Sequence, residues 1–172
     1  MGRLRALDTS TVVIDLLLRK YKSDQTWVRV ALKQLSEEDI VWSPTPDSNS
    51  IANLIAHISG AVKQWFETVY FGVSYEDVDR SKEFDQGLQM TKEQALELFQ
   101  NAYDRIIDVL EMMKANPERL LEQPYLDFPP FNSGLDNKAT ILDMLLHQFR
   151  HLPGHIGQII YIAKMRKGQL QW

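Results

Sequence analysis

Apolar side chains recur along this chain with the 3.6-residue period of α-helices in four long segments. No segment shows the sustained two-residue alternation, bounded by hairpin turns, that is typical of strands. The periodicity predicts helices from about Ser10 to Leu35, Ile51 to Tyr70, Thr91 to Lys114 and Thr140 to Lys167. Four helices of roughly twenty residues joined by long connections predict an all-α four-helix bundle.

Signals at the helix ends agree with these limits. Thr91-Lys-Glu-Gln94 is a capping box, and Ser50 and Thr140 are expected to cap the second and fourth helices. The segment Gly72–Met90 is charged and aperiodic, so we expect a loop that can overhang the functional site. Prolines and a glycine in Pro124–Asn137 predict a second long crossover.

The composition of the chain excludes several classes of partner and of site chemistry. The chain has 172 residues, 44% of them hydrophobic, which suits one domain spanning residues 1–172. A net charge of −4 and the lack of a basic run argue against a nucleic-acid partner. Since the chain has no cysteine, disulfides, thiolate zinc sites and a cysteine nucleophile are excluded.

The apolar run near the N-terminus is short. Residues 12–14 and 16–18 are apolar, but Asp15 separates them. Such a run is too brief for a signal peptide or a membrane span. We therefore expect a cytoplasmic protein with no membrane partner.

Three of the four histidines, His147, His151 and His155, follow one another at four-residue spacing in the predicted last helix, and His57 lies far upstream. Residues four apart on a helix share a face, so two such imidazoles can bind one metal ion. Imidazole suits zinc, copper, iron and nickel. The spacing alone is weak evidence for a metal site, because histidines on helices are commonly surface residues or hydrogen-bonded residues.

The phase of the last helix separates these histidines. At 100° per residue, His155 lies just off the edge of the apolar arc, His151 about 40° further out, and His147 almost opposite its centre. His57 lies at the edge of the apolar face of the second helix. We therefore place His57, His151 and His155 around one ion and expect His147 to face water. The apolar arc comprises Leu142, Leu145, Leu146, Phe149, Leu152, Ile156, Ile159 and Ile160.

Pro153 lies between two of the proposed ligands. A proline inside a helix removes one hydrogen bond and clashes with the carbonyl four residues earlier, at a cost of about 3 kcal/mol. With Gly154 beside it, we expect a kink. A severe break would disturb the spacing of the histidines on either side.

Two blocks of sequence resemble the DinB/YfiT-like family. One runs from Leu35 to Pro44 and continues with Asn49-Ser50-Ile51-Ala-Asn-Leu-Ile-Ala-His57-Ile and Trp65. The other is His151-Leu-Pro-Gly-His155-Ile-Gly-Gln-Ile-Ile-Tyr-Ile-Ala-Lys in the last helix. The resemblance covers nearly the whole chain, although relatives commonly have another residue where Pro153 stands.

This resemblance implies an up-down-down-up bundle with long crossover loops, and members of the family are often homodimers. It also implies a divalent metal ion held by His57, His151 and His155, with zinc or nickel favoured and iron or manganese open. The family includes bacillithiol- and mycothiol-dependent S-transferases, mycothiol-dependent isomerases and proteins described as metal-dependent hydrolases.

A three-histidine ion with open positions supports either hydrolysis or thiol transfer. Hydrolysis also needs a general base, and no glutamate accompanies the histidine pair on the last helix. Glu67 and Asp143 are candidate bases, but ordinary solvated carboxylates are the simpler reading of both. We therefore expect a transferase that uses a low-molecular-weight thiol and a small electrophile, with no catalytic residue assigned. A hydrolase and a non-catalytic, metal-stabilised stress-response or dimerisation module are the alternatives.

Overall fold

The computed structural model describes residues 9–68, 80–123 and 139–172. Within these ranges the regular structure is helical and contains no strand, so the all-α prediction is confirmed. The α-helices are α1 Thr9–Lys33, α2 Glu37–Val41, α3 Ile51–Val62, α4 Lys92–Ala115 and α5 Ile141–Lys167. A π-helical turn, Lys63–Glu67, continues α3, and a 3₁₀ turn, Pro117–Leu121, follows α4.

Capping boxes open four of the helices. The predicted box at Thr91 and the predicted caps at Ser50 and Thr140 are all present. A short helix that the periodicity did not predict, α2, begins in the polar segment after α1. Ser36 accepts a hydrogen bond from the Asp39 backbone N–H, and the Asp39 carboxylate accepts one from the Ser36 backbone. This reciprocal pairing satisfies donors that a helix start would otherwise leave free.

The long helices run up, down, down and up. Paired residues on α1 and α4 run in opposite directions along the chain, as do those on α3 and α5, whereas those on α1 and α5 run in the same direction. This order confirms the predicted topology. The pairs are Asp15–Lys114 and Gln25–Asp104 between α1 and α4, His57–His155 and Trp65–His147 between α5 and α3 with its π-helical turn, and Tyr21–Phe149 between α1 and α5, with Gln34–Gln171 just beyond the C-terminal ends of these last two helices.

Aromatic rings join the helices in the core. The Tyr21 ring lies edge-on to Phe66, Tyr103 and Phe149, with centroid separations of 6.5, 5.9 and 6.0 Å. Edge-to-face pairs of this kind contribute about 0.5–1.5 kcal/mol each beyond the burial of their area. One tyrosine of α1 thus contacts α4, α5 and the π-helical turn after α3.

The buried face of α5 differs from the predicted arc. Leu146 is 50% exposed, whereas Met144 and Gln148 are 1% and 0% exposed. The prediction was wrong at Leu146 because α5 packs against both α1 and α3, so the side of the helix that carries His151 and His155 is covered as well.

The second predicted helix, Ile51 to Tyr70, changes character before its end. α3 passes into the π-helical turn at Lys63, and residues 69 and 70 lie outside the described ranges. The wider turn places three consecutive side chains, Gln64, Trp65 and Phe66, in the interior. π-helical turns of this kind are frequent at functional sites.

The second predicted crossover, Pro124–Asn137, falls outside the described residues. So does the first part of the predicted loop Gly72–Met90, of which residues 80–90 are described. Among the helices in the described parts of the chain, none combines the length and the apolar character needed to cross a bilayer.

Candidate metal centre

The structure brings together the three histidines that the sequence singled out. His57 projects from α3, while His151 and His155 project from the antiparallel α5. The Nε2 atom of His151 lies 3.1 Å from that of His57 and 2.9 Å from that of His155. One ligand atom from each ring lies within 4.8 Å of the other two. Their role as ligands stays a prediction.

These separations fit a shared ion. Metal–nitrogen bonds of about 2.0–2.1 Å place two ligand nitrogens about 2.9 Å apart at a right angle and about 3.3 Å apart at the tetrahedral angle. The distances at His151 fall close to this range. Three nitrogens from two helix faces leave further positions for a non-protein ligand.

Pro153 does not separate the pair on α5. The helix continues without interruption from Ile141 to Lys167, with the proline inside it. His151 and His155, on either side of the proline, still converge to 2.9 Å between their Nε2 atoms. The local i, i+4 spacing is therefore enough to build this half of the centre.

Two of the three rings have their outer nitrogen held by an acceptor. His57 Nδ1 lies 2.9 Å from Glu83 Oε2, and His155 Nδ1 lies 2.7 Å from Gln158 Oε1. An ionised carboxylate and an amide carbonyl oxygen only accept hydrogen bonds, so both contacts favour the tautomer with the proton on Nδ1. The corresponding Nε2 atoms then keep the lone pair that a metal needs.

Arg80 holds the carboxylate that contacts His57. Its Nε and Nη2 atoms donate to Glu83 Oε1 and Oε2 at 2.8 and 2.9 Å, and Nη1 donates to Gln64 Oε1. Nη2 also lies 2.9 Å from His57 Nδ1. Arg80 Nη2 and His57 Nδ1 both lie within hydrogen-bond distance of Glu83 Oε2. This oxygen can accept from both nitrogens, so His57 Nδ1 does not have to accept from Arg80.

Glu83 remains ionised despite its burial. Burial is the largest single effect on its pKa and raises it, but hydrogen bonds and charge from His57 and Arg80 together outweigh burial and lower the pKa below its usual value.

The Phe84 ring lies 4.9 Å from the His57 ring. The described part of the loop therefore overhangs the centre, as predicted.

Sequence reasoning missed Arg80, Glu83 and Asn53. The Asn53 amide donates to the backbone carbonyls of Glu83 and Asp85 at 3.1 and 3.0 Å and fastens the loop to the start of α3. Arginine and glutamate three residues apart are common in any charged loop. No pattern in the sequence marks this pair as the neighbour of a distant histidine.

The two histidines of α5 are neutral at neutral pH. Burial, followed by the proximity of His155, His57 and other positive groups, lowers the pKa of His151 to about 4. Burial also lowers the pKa of His155. The Nδ1 atom of His151 is buried without a hydrogen-bond partner. Neutral rings offer lone pairs, which favours a cation between them.

A comparison with known families covers almost all of the chain. The model of the family described as "Protein of unknown function (DUF1572)" matches residues 8–172. The chain belongs to this family. No curated protein and no solved structure matches the chain. The DUF1572 match includes every helix of the bundle and all three histidines of the candidate centre.

His147 is not part of the three-histidine group of this DUF1572 protein. Its ring lies 5.2 Å from Trp65 and 6.3 Å from His151. Burial, and then the charge of Arg150, lowers its pKa. The expectation that His147 faces water was therefore wrong in part, because the ring is half-buried against Trp65.

The two carboxylates considered as general bases have structural contacts instead. Glu67 forms an ion pair with Arg105 at 3.2 Å. Asp143 accepts hydrogen bonds from the backbone N–H and the hydroxyl of Thr140, which lower its pKa and cap α5. Glu67, whose side chain is 23% exposed, is therefore ion-paired and not simply solvated, and Asp143 serves as part of a helix cap.

Proposed function

We propose that this DUF1572 protein is a member of the DinB/YfiT-like superfamily that binds a divalent metal ion through His57, His151 and His155. The observation that carries the proposal is the convergence of three ring nitrogens to within 4.8 Å of one another. Hydrogen bonds to Glu83 and Gln158 support it, because they direct two of the lone pairs inward.

The reaction we propose is transfer of a low-molecular-weight thiol to a small electrophile. His57, His151 and His155 would hold the ion, which when bound would lower the pKa of a coordinated thiol. The thiol sulfur forms a bond to an electrophilic carbon, the leaving group departs with its electron pair, and the thiol proton passes to solvent. The thiol comes from outside, since the chain has no cysteine.

The surroundings of the histidines favour thiol transfer over hydrolysis. A hydrolase needs a base within reach of the attacking water. Glu83 contacts the centre, but its hydrogen bonds to Arg80 and His57 lower its pKa and make it a weak base. Glu67 and Asp143 are engaged with Arg105 and Thr140.

Elemental analysis of the purified protein tests the metal. We expect about one equivalent of zinc or nickel, with iron or manganese as the other candidates, and a large loss in His57→Ala. His147→Ala is the matched control, because this histidine lies outside the group. A folded wild-type protein that takes up no divalent metal would refute the proposal.

Thiol-dependent consumption of monochlorobimane tests the reaction. We expect turnover with at least one low-molecular-weight thiol, its loss in His151→Ala, and its retention in His147→Ala. Metal-dependent cleavage of esters or amides without a thiol would point to a hydrolase. A metal-loaded protein inactive with both substrate classes would point to a metal-stabilised module.

The proposal includes a homodimer, as the family resemblance implies. Light scattering on the purified protein measures the mass directly. A monomer at concentrations well above those of the activity assay would contradict the proposed homodimer and would not affect the proposed metal centre.

A further inference from the structure

A glycine on α3 makes room for the carboxylate that contacts His57. Gly60 lies three residues after His57, and a Cβ built on it would lie 1.8 Å from Glu83 Oε1 and 2.8 Å from Glu83 Cδ. Neither separation is possible between non-bonded atoms. An alanine at this position therefore forces the carboxylate away from its present place.

The carboxylate is fixed from several directions. Arg80 donates to both of its oxygens, at 2.8 and 2.9 Å, and His57 Nδ1 lies 2.9 Å from Oε2. The backbone carbonyl of Glu83 accepts from the Asn53 amide. The residue is 6% exposed. Moving Glu83 in response to a larger residue at 60 thus means breaking contacts on the side that holds His57.

We propose that Glu83, seated against Gly60 and held by Arg80, is a positioning residue that fixes the ring orientation and the proton of His57. With the proton held on Nδ1, the Nε2 lone pair points to His151 and His155. This inference rests on the proposed metal centre and names the residues that prepare it.

The influence of Glu83 on metal binding follows from the two tautomers of the His57 imidazole. The hydrogen bond made by one ring nitrogen decides which nitrogen carries the proton. Without an acceptor at Nδ1, both tautomers are populated, and the form with the proton on Nε2 cannot bind a metal through that nitrogen. A carboxylate partner also raises the basicity of the ligating nitrogen, and losing such a partner typically costs about 10–100-fold in metal affinity.

A purely structural ion pair makes different predictions. If Glu83 and Arg80 only fasten the loop to α3, their loss lowers the thermal stability and leaves the His57 tautomer and the metal affinity unchanged. The two roles are therefore separated by measuring the ring proton and the affinity as well as the stability.

The first measurement is the Zn²⁺ affinity, determined by competition with a chromophoric chelator. We expect Gly60→Ala to bind about 10–100-fold more weakly than the wild type. Gly157→Ala is the matched control, because it lies inside α5 and a Cβ there meets nothing within 4 Å. We expect its affinity to be unchanged.

A double-mutant cycle isolates the mechanism. Glu83→Ala removes the carboxylate that a Cβ at residue 60 would meet, so Gly60→Ala should add nothing in that background. Additive losses would mean that Gly60 acts by another route and would overturn the inference. Circular dichroism and thermal melts establish that each variant is folded, and if Gly60→Ala does not fold, Glu83→Ala alone still tests the role of the carboxylate.

The second measurement needs no metal. Long-range ¹H–¹⁵N spectra of the histidine rings in metal-free protein report which nitrogen carries the proton. We expect His57 to be the Nδ1–H form in the wild type and a mixture in Glu83→Ala. An unchanged tautomer and an unchanged Zn²⁺ affinity would overturn the inference while leaving the centre in place. Wild-type protein that shows the expected tautomer but no Zn²⁺ affinity would instead overturn the proposed function.

Discussion

The two walls of the candidate centre are built in different ways. On α3, His57 is 7% exposed and its outer nitrogen contacts a carboxylate that Arg80 and a distant loop hold in place. On α5, His151 and His155 are half-buried, one with no partner for its outer nitrogen and the other hydrogen-bonded to the exposed Gln158. One wall depends on tertiary contacts, and the other on local helix geometry.

This difference has an energetic consequence. A ligand held by a charged, buried hydrogen bond is positioned before the metal arrives, whereas a half-buried ring has more freedom and is positioned partly by the metal. The α3 wall should therefore determine the geometry of the centre. The α5 wall carries the two rings whose pKa values burial lowers.

Removing the central ligand should have the largest effect. His151 contacts both other histidines through its Nε2 atom, at 3.1 and 2.9 Å. We expect His151→Ala to weaken metal binding by more than the roughly 100-fold that loss of an outer-shell partner can cause. Chelator competition measures this. An affinity within a few-fold of that of the His147→Ala control would contradict the role of His151.

The two walls differ most in the residue that accepts from the Nδ1 atom, which is Glu83 for His57 and Gln158 for His155. We expect Glu83→Ala to reduce Zn²⁺ affinity by about 10–100-fold, and Gln158→Ala by less than about 10-fold. The reason is that water can replace the exposed amide of Gln158 but reaches the buried site of Glu83 poorly. Equal losses in the same competition assay would show that the two walls are equivalent.

Acid should destabilise the metal-free protein through the α5 wall. The folded state lowers the pKa of His151 from 6.5 to about 4, so between these values the unfolded chain binds more protons. Stability is therefore highest above about pH 6.5 and falls as the pH decreases towards 4. Lowered pKa values at His155 and His147 act in the same direction.

Thermal melts of metal-free protein at pH 7, 6 and 5 measure this dependence. The range lies above the pKa of ordinary carboxyl groups, so histidines dominate it. We expect the melting temperature to fall with pH, and to fall less steeply in His151→Ala. A melting temperature independent of pH over this range would argue against burial of neutral histidines.

The smallest effect should come from Gly157→Ala. This residue is exposed inside α5, where alanine is favoured over glycine by about 0.8–1.0 kcal/mol. We expect a small rise in melting temperature at unchanged metal affinity, whereas Gly60→Ala should lose affinity. A loss of affinity in Gly157→Ala would show that α5 geometry is more sensitive than the local spacing suggests.

Helix ends and the histidine pair on α5 were predictable because their causes are local. The Thr91 capping box, the cap at Thr140 and the i, i+4 spacing of His151 and His155 depend on residues a few positions apart. The π-helical turn after α3 was not predictable, since no proline or glycine within it signals a change of helical pitch. The exposure of Leu146 depends on which neighbours cover α5.

Membership of His57 in the group came from its phase on the helix together with the family resemblance. Local spacing could not supply it, since His57 lies 94 residues before His151, whose Nε2 atom is 3.1 Å from that of His57. Glu83, Arg80 and Gly60 were missed altogether. Their arrangement depends on how a loop folds back over α3, and hydrogen-bonding partners separated by more than twenty residues leave no periodic signal in one sequence.

The sequence by itself thus determined the all-α class, the capped starts of α3, α4 and α5 and a histidine pair on one helix face, because short-range periodicity and capping chemistry control these features. Only the tertiary structure decided which acceptor holds each ring nitrogen and that Gly60 leaves space for Glu83. The physical reason is that a metal centre needs atoms placed to within tenths of an ångström, and side chains from distant segments reach that precision only after the helices have packed.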